Sequence, residues 1–384
     1  MKEIYFDNSA TTALSTGAKD AMRAAMECYG NPSSLHSVGL EAEKLVREAR
    51  KSIGEALGVR FLRDSQLIFT SCGSEASNLA LFGTVYAKAR KTANKIITTE
   101  GEHPSVENPI KKLESEGFKV VRIPTKGGDL DMEMLRKEAE GVLLASIMMV
   151  NNETGALYDV ENAFKIIKAK SPDAVCHCDA VQGFLKRRFT AQSLGADLIT
   201  LSAHKIHGPK GIGALYIDPD IIKKKKIVPY ILGGGQEYGL RSGTENTVGI
   251  AGFGAAAKEF FSSLDSYVAK MNELREYIIS QMPAEIRVNL PKKSAPHVVN
   301  ITLPRIKSET MLHFLSSKGI FVSSGSACSS HSSAPSSALT AFGLDAKDAD
   351  CSLRISLCES NTKEDADELI AALSEGLASL VRIR

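Results

Sequence analysis

The chain has 384 residues, 43% hydrophobic and 24% charged, with a formal net charge of +2. That balance is of an ordinary globular protein with chain enough for two or three domains, and it offers no electrostatic reason for nucleic acid as a main partner. No apolar run is long enough to span a bilayer, the first residues Met1-Lys-Glu-Ile-Tyr-Phe-Asp contain no signal-peptide core, and the seven cysteines have no framework spacing. Free thiols, no membrane association and a cytoplasmic location are therefore expected.

Taken in chain order, residues 4–6 read as a short strand that runs into the polar turn Asp7-Asn8-Ser9-Ala10-Thr11-Thr12. Helical periodicity follows over 18–28, and then the loop Gly30-Asn31-Pro32-Ser33-Ser34, with His36 just after it. Residues 40–57 form a long amphipathic pattern stopped by Gly58. From residue 66 the text alternates. Strands are expected at 66–70, 95–99, 119–123, 142–150, 174–178, 197–201 and 214–217, with helices at 74–91, 104–116, 132–139 and 160–170. Such βαβα alternation predicts a mostly parallel sheet covered by helices. The run Lys223-Lys224-Lys225-Lys226 reads as a solvated turn. After Gly233-Gly234-Gly235, residues 252–282 read as one long helical stretch suited to link two domains. Strands at 286–290, 298–303, 320–322 and 353–357, with helices at 309–318 and 363–381, make a smaller α/β domain. Thr362 and Asp365 signal the start of the last helix, and residues 323–337 are a Ser-rich patch.

Several polar residues sit just past strand ends, and parallel strands bring such ends to one edge of a sheet. Ser202-Ala203-His204-Lys205 leads into Gly208-Pro209-Lys210-Gly211. Lys205 is then either a solvated loop lysine or a desolvated amine able to form a Schiff base. Ser71-Cys72-Gly73-Ser74-Glu75 opens a helix, which suits a phosphate as well as an ordinary N-cap. Glu102-His103, Asn151-Asn152-Glu153 and His177-Cys178-Asp179 follow other strands. A carboxylate at a buried strand end needs a partner, and a protonated ring nitrogen would serve. Cys176, His177 and Cys178 alternate across a strand, so only the two cysteines share a face, and no metal is expected. A capturing lysine, a carboxylate and an anion cup are the set that pyridoxal phosphate requires.

The chain resembles cysteine desulfurases of the NifS/IscS type, class V aminotransferases of fold-type I. The resemblance runs from Tyr5-Phe6-Asp7-Asn8-Ser9-Ala10-Thr11-Thr12 to Leu353-Arg354-Ile355-Ser356. It is carried most specifically by Ser202-Ala203-His204-Lys205, His177-x-Asp179-Ala180-x-Gln182, Arg241-Ser242-Gly243-Thr244 and Ser324-Gly325-Ser326-Ala327-Cys328. It implies a large domain, residues 15–255, with a mostly parallel seven-stranded sheet that binds pyridoxal 5'-phosphate. Residues 1–14 and 256–384 would form a smaller α/β domain carrying the Cys328 loop. Lys205 would hold the cofactor, Asp179 its ring nitrogen and Gln182 its phenolic oxygen. His103 would stack on the ring and serve in acid–base steps. Gly73, Ser74, Ser202 and His204 would cup the phosphate, and Thr244 would reach the phosphate of a neighbouring subunit in a homodimer. Asn152 and Arg354 would hold the substrate carboxylate. Cys328 would take sulfur from L-cysteine as a persulfide, leaving L-alanine, for iron–sulfur clusters or tRNA thiolation. Selenocysteine lyase or an aminotransferase of the same fold is the alternative. His207 stands where relatives often have Tyr. The chain ends at Arg384 without the C-terminal extension that such enzymes direct towards a scaffold, so the sulfur-acceptor protein is left open.

Overall fold

The computed structural model describes residues 2–87, 93–324 and 336–382. In chain order the strands are β1 (Ile4–Tyr5), β2 (Leu67–Thr70), β3 (Lys95–Thr99), β4 (Lys119–Ile123), β5 (Val142–Met148), β6 (Val175–Asp179), β7 (Leu198–Ser202), β8 (Gly213–Ile217), β9 (Arg287–Val288), β10 (Val298–Thr302), β11 (Ile320–Phe321) and β12 (Ser352–Ser356). Seven of them form one sheet in the order β2-β8-β7-β6-β5-β3-β4. Only β8 runs against its neighbours β2 and β7. The sheet is therefore mostly parallel, as the alternation predicts, and the C-terminal ends of β2, β3, β5, β6 and β7 share one edge.

Every residue of β2, β5, β6, β7 and β8 is buried. Helices cover both faces of the sheet, so its strands read as near-continuous apolar runs. Alternation sorts the side chains. Leu67, Phe69, Ile199 and Leu201 join the core on one face, while Ile68 and Leu198 join the core on the other, with Leu79 and Phe82.

A second core gathers around the antiparallel strands β9, β10 and β12 and the helices Ser308–Ser317 and Lys363–Ser379. β1 pairs in parallel with β11, and Ile4 and Phe6 belong to this core. The chain thus begins in the company of its C-terminal third.

The long helical stretch expected at 252–282 is two helices, Thr247–Ser262 and Leu264–Gln281, broken at Ser263 (φ −119°, ψ 15°). The two halves serve different cores. The first packs glycines against its neighbours: a Cβ at Gly254 would lie 2.4 Å from the Ala49 backbone, and one at Gly252 2.7 Å from Met22. The second sends Leu274 and Ile278 into the other core. Local hydrogen bonding by Ser262 and Ser266 to the backbone carbonyls of Glu259 and Ser263 brackets the break.

Candidate active site

The shared edge of the sheet forms one wall of a cleft. Lys205 comes to it through a single 3-10 turn, Ala203–Lys205, directly after β7. Gly208 is required there, because a Cβ would meet Ala203 at 2.9 Å. The Lys205 ammonium donates to the carbonyls of Ser9 (2.6 Å) and Ala10 (2.8 Å). The polar turn after β1 thus reaches over the lysine loop. Thr12 fastens it there, donating N–H (2.9 Å) and Oγ (3.0 Å) to the His204 carbonyl.

Asp179 is the last residue of β6 and is 5% exposed. Among the described residues its carboxylate accepts one hydrogen bond, from the Val181 N–H at 3.0 Å. Burial pushes the carboxyl up to about 6, against the opposing pull of the Lys205 charge. A desolvated carboxylate so thinly satisfied calls for a cationic or N–H partner in the cleft. Gln182 lies one turn further on. Its amide N–H donates to the Ser9 carbonyl at 2.9 Å, and its oxygen accepts from Lys186 at 3.3 Å.

His103 caps the helix Pro104–Ser115. Its Nδ1 accepts from the Ser105 N–H (3.1 Å), which leaves the proton on Nε2. Burial, and then the charge of Lys205, push the imidazole down to about 4, so the ring is neutral at neutral pH. Its neighbour Glu102 is a residue that the sequence did not single out by itself. Burial pushes its carboxyl up to about 8. Its Oε1 accepts from Thr99 Oγ1 and the Met148 N–H, both at 2.8 Å, while the buried Oε2 has no hydrogen-bond partner among the described residues. Buried next to the cleft-lining His103, Glu102 therefore sets a neutral carboxyl beside a neutral imidazole.

At one end of the cleft the helix Gly73–Tyr86 begins, with the free N–H groups of a helix start. A Cβ on Gly73 would crowd Val181 at 3.1 Å and Ser202 at 3.3 Å, and one on Gly213 would strike the Cys72 backbone at 2.5 Å. Ser74, Ser202 and His204 line the same end. Arg241 is turned away to Glu75 (2.7 Å). Towards the second core, Asn152 and Arg354 complete the lining. Arg354 extends from β12 and is already engaged: it donates to the Asn152 carbonyl (3.0 Å) and pairs with Asp7 (2.6 Å). Its Nε, buried, has no hydrogen-bond partner among the described residues. The Asp7 pairing spans nearly the whole chain length and no local motif announces it.

Ten of the twelve residues expected at the site line this cleft: Lys205, His103, Gly73, Ser74, Asp179, Gln182, Ser202, His204, Asn152 and Arg354. Thr244 does not. It lines a separate surface depression with Met26, Tyr29 and Asn31. Cys328 lies outside the described residues, but the described chain on both sides of it ends at the cleft. Ser323 exchanges backbone hydrogen bonds with Arg354, and the Ser336 hydroxyl donates to Glu153 at 2.6 Å.

The residues of this cleft can hold a phosphorylated pyridine ring: Asp179 offers a buried anion for a ring N–H, the helix start offers an anion cup without a side chain in the way, and Lys205 offers an amine. Known proteins resemble the chain along its length. Residues 4–369 match the family model described as aminotransferase class-V. A cysteine desulfurase IscS of Dictyoglomus turgidum is 37% identical over 386 residues, covering 99% of this chain and 95% of that protein. A solved NifS-like protein is 36% identical with a TM-score of 0.91, covering 99% of this chain and all of that one. The structure titled SspA in complex with cysteine is 32% identical with a TM-score of 0.81, covering 94% and 100%. The chain therefore belongs to the class-V aminotransferase family, and the relatives that it matches along nearly its full length include cysteine desulfurases.

Proposed function

We propose that the protein is a pyridoxal 5'-phosphate-dependent cysteine desulfurase that converts L-cysteine to L-alanine and takes the sulfur on Cys328. The relatives support the reaction, and the observation that carries it to this chain is the convergence of Lys205, Asp179 and His103 on one cleft.

When bound, pyridoxal phosphate supplies a carbonyl for an amine and a ring that accepts the electron pair left at Cα. Asp179 would hold the ring N–H, the partner that its buried carboxylate lacks. Gly73, Ser74, Ser202 and His204 would receive the phosphate. Lys205 leaves the Ser9 and Ala10 carbonyls and removes the Cα proton at Nζ. His103, neutral and with its proton on Nε2, is placed to donate a hydrogen bond into the cleft and to exchange that proton. Arg354 and Asn152 hold the substrate carboxylate, with the guanidinium shared between it and Asp7. Cys328 Sγ, as thiolate, bonds to the substrate sulfur. The Cβ–S bond breaks, its electron pair stays on carbon, and carbon takes up a proton. Cys328 stands five residues beyond Ser323, a reach of at most about 18 Å of extended chain.

The exposed apolar side chains Met26, Tyr29, Leu35 and Leu232, two of them beside Thr244, support a homodimer buried over that surface. The separate cores support two domains, residues 15–255 and residues 1–14 with 256–384, with Phe260, Leu264 and Ala295 of the second span reaching into the core of the first. No helix among the described residues is long and apolar enough to cross a membrane; with the free thiols, this fits a cytoplasmic enzyme that passes sulfur to an acceptor protein for iron–sulfur clusters or tRNA thiolation.

The test is to incubate the holoenzyme with L-cysteine, then quantify alanine and measure intact mass. One added sulfur on Cys328 is expected, and a Cys328→Ser variant that forms alanine as fast as the parent would sink the assignment.

A further inference from the structure

The lysine loop has a second face. His207 follows Lys205 by two residues, in a left-handed backbone conformation (φ 63°) that places its ring flat against Phe260, with centroids 4.5 Å apart and planes at 4°. It lines a groove separate from the catalytic cleft. There His207 Nε2, Cys358 Sγ and a Glu359 carboxylate oxygen all lie within 4.8 Å of one another. The side chains of His207 and Glu359 are 11% and 21% exposed, and Cys358 is 8% exposed. None of the three has a part in the desulfuration derived above.

The hydrogen bonds assign the protons. His207 Nδ1 is 2.9 Å from the Ala13 carbonyl, which can only accept, so Nδ1 carries a proton. Nε2 is then left facing Glu359 Oε2 at 3.2 Å. A ring nitrogen and a carboxylate oxygen this close share a positive bridge, either a proton or a metal ion. The thiol of Cys358, 3.1 Å from Ser360 Oγ, converges on the same pair, and three such donors around one point suit a metal ion. An imidazole whose far N–H is held by a backbone carbonyl is also the usual outer arrangement of a metal-bound histidine.

We propose that His207, Cys358 and Glu359 bind a divalent cation of the zinc class, with a water from the groove in the fourth position. Imidazole, thiolate and carboxylate together suit such a borderline ion. With metal–ligand lengths of about 2.0–2.3 Å, ligand atoms in a tetrahedron stand about 3.3–3.6 Å apart. The His207–Glu359 separation already fits. The sulfur needs a shift of about 1 Å, within reach of a χ1 rotation. Binding exchanges the thiol proton, released to solvent, for a metal–sulfur bond, so affinity rises with pH. Thiolate and carboxylate together neutralise the ion. Charged groups face the cluster from several elements: Lys205 lines the adjoining cavity, and Lys2, Lys210, Glu259 and Asp365 line the groove. Lys270 donates to the Glu359 carbonyl, and Lys186, lining the adjoining cavity, is pushed down by burial to about 7, so it sheds charge readily. The ion ties the Lys205 loop to the segment after β12, and with it one core to the other.

The test uses holoenzyme cleared of loose metal with a chelator and dialysed against cobalt(II) chloride. Metal is quantified per chain, and the near-ultraviolet thiolate-to-cobalt band is recorded. One cobalt per chain is expected, with the band kept in Cys328→Ala and lost in Cys358→Ser, and an affinity at least tenfold weaker in Glu359→Gln. Far-ultraviolet circular dichroism and cofactor absorbance report whether each variant is folded; if Cys358→Ser is not, Glu359→Gln decides. No bound cobalt, a band that survives Cys358→Ser or vanishes in Cys328→Ala, or unchanged affinity in Glu359→Gln overturns the proposal.

Discussion

The two faces of the Lys205 loop solve opposite problems with buried polar groups. In and beneath the catalytic cleft, burial shifts titratable groups towards their neutral forms. Glu102 is raised to about 8, His103 lowered to about 4 and Asp179 raised to about 6. In the groove behind it, burial pushes the Glu359 carboxyl up, but the hydrogen bond and charge of His207 hold it below the usual range. Burial is the shared cause; what differs is whether an opposite charge stands within contact. A site left short of counter-charge is prepared to receive a charged ligand, and its groups change protonation cheaply when one arrives.

The largest effect tests the occupant of the cleft. Lys205→Ala removes the amine proposed both to capture the cofactor and to move the Cα proton. Alanine formation should fall by at least about 10³-fold, with loss of the lysine-bound cofactor absorbance; retention of covalent cofactor would break the assignment. Asp179→Asn keeps shape and removes the anion. A fall in kcat of about 10²–10³-fold is expected, as for loss of one preorganised electrostatic contact, with a much smaller change in KM for L-cysteine.

The contrast in protonation is tested by pH. Folding raises the Glu102 carboxyl from 4.5 to about 8. The folded protein therefore holds a proton that the unfolded chain gives up. This stabilisation is complete below about 4.5 and is lost as pH rises through about 8. Thermal melts of the cofactor-free protein should fall between about pH 5 and 8 and level off above that, and Glu102→Gln should flatten that fall. Equal slopes in both proteins would mean that Glu102 is ionised at its place beneath the cleft. The smallest effect belongs to the groove. Phe260→Leu leaves all three donors and removes the ring that orients His207; cobalt(II) affinity should weaken by about tenfold, the usual size for an outer contact of a metal ligand.

Much of the cleft was legible because parallel strands carry their function at their ends. An apolar run such as Leu198–Ser202 followed by a small polar turn announces both a buried strand and the edge where it stops. The same holds for β6, where Asp179 closes a fully buried strand. The single helix expected at 252–282 failed for a different reason. Helical periodicity continues across Ser263, and nothing local tells that Phe253 belongs to one core and Leu274 to another.

By itself the sequence determined the α/β class, the mostly parallel sheet and the cluster of lysine, carboxylate and imidazole along its edge, since these follow from hydrophobic period and from what must cap a buried strand. Only the tertiary structure decided that the Ser9 and Ala10 carbonyls hold Lys205, that Asp7 claims Arg354, that Glu102 lies buried with one oxygen unpartnered among the described residues, and that His207 meets Cys358 and Glu359. Most of these are encounters between residues more than a hundred positions apart, and burial and contact with distant groups, not local propensity, set their protonation.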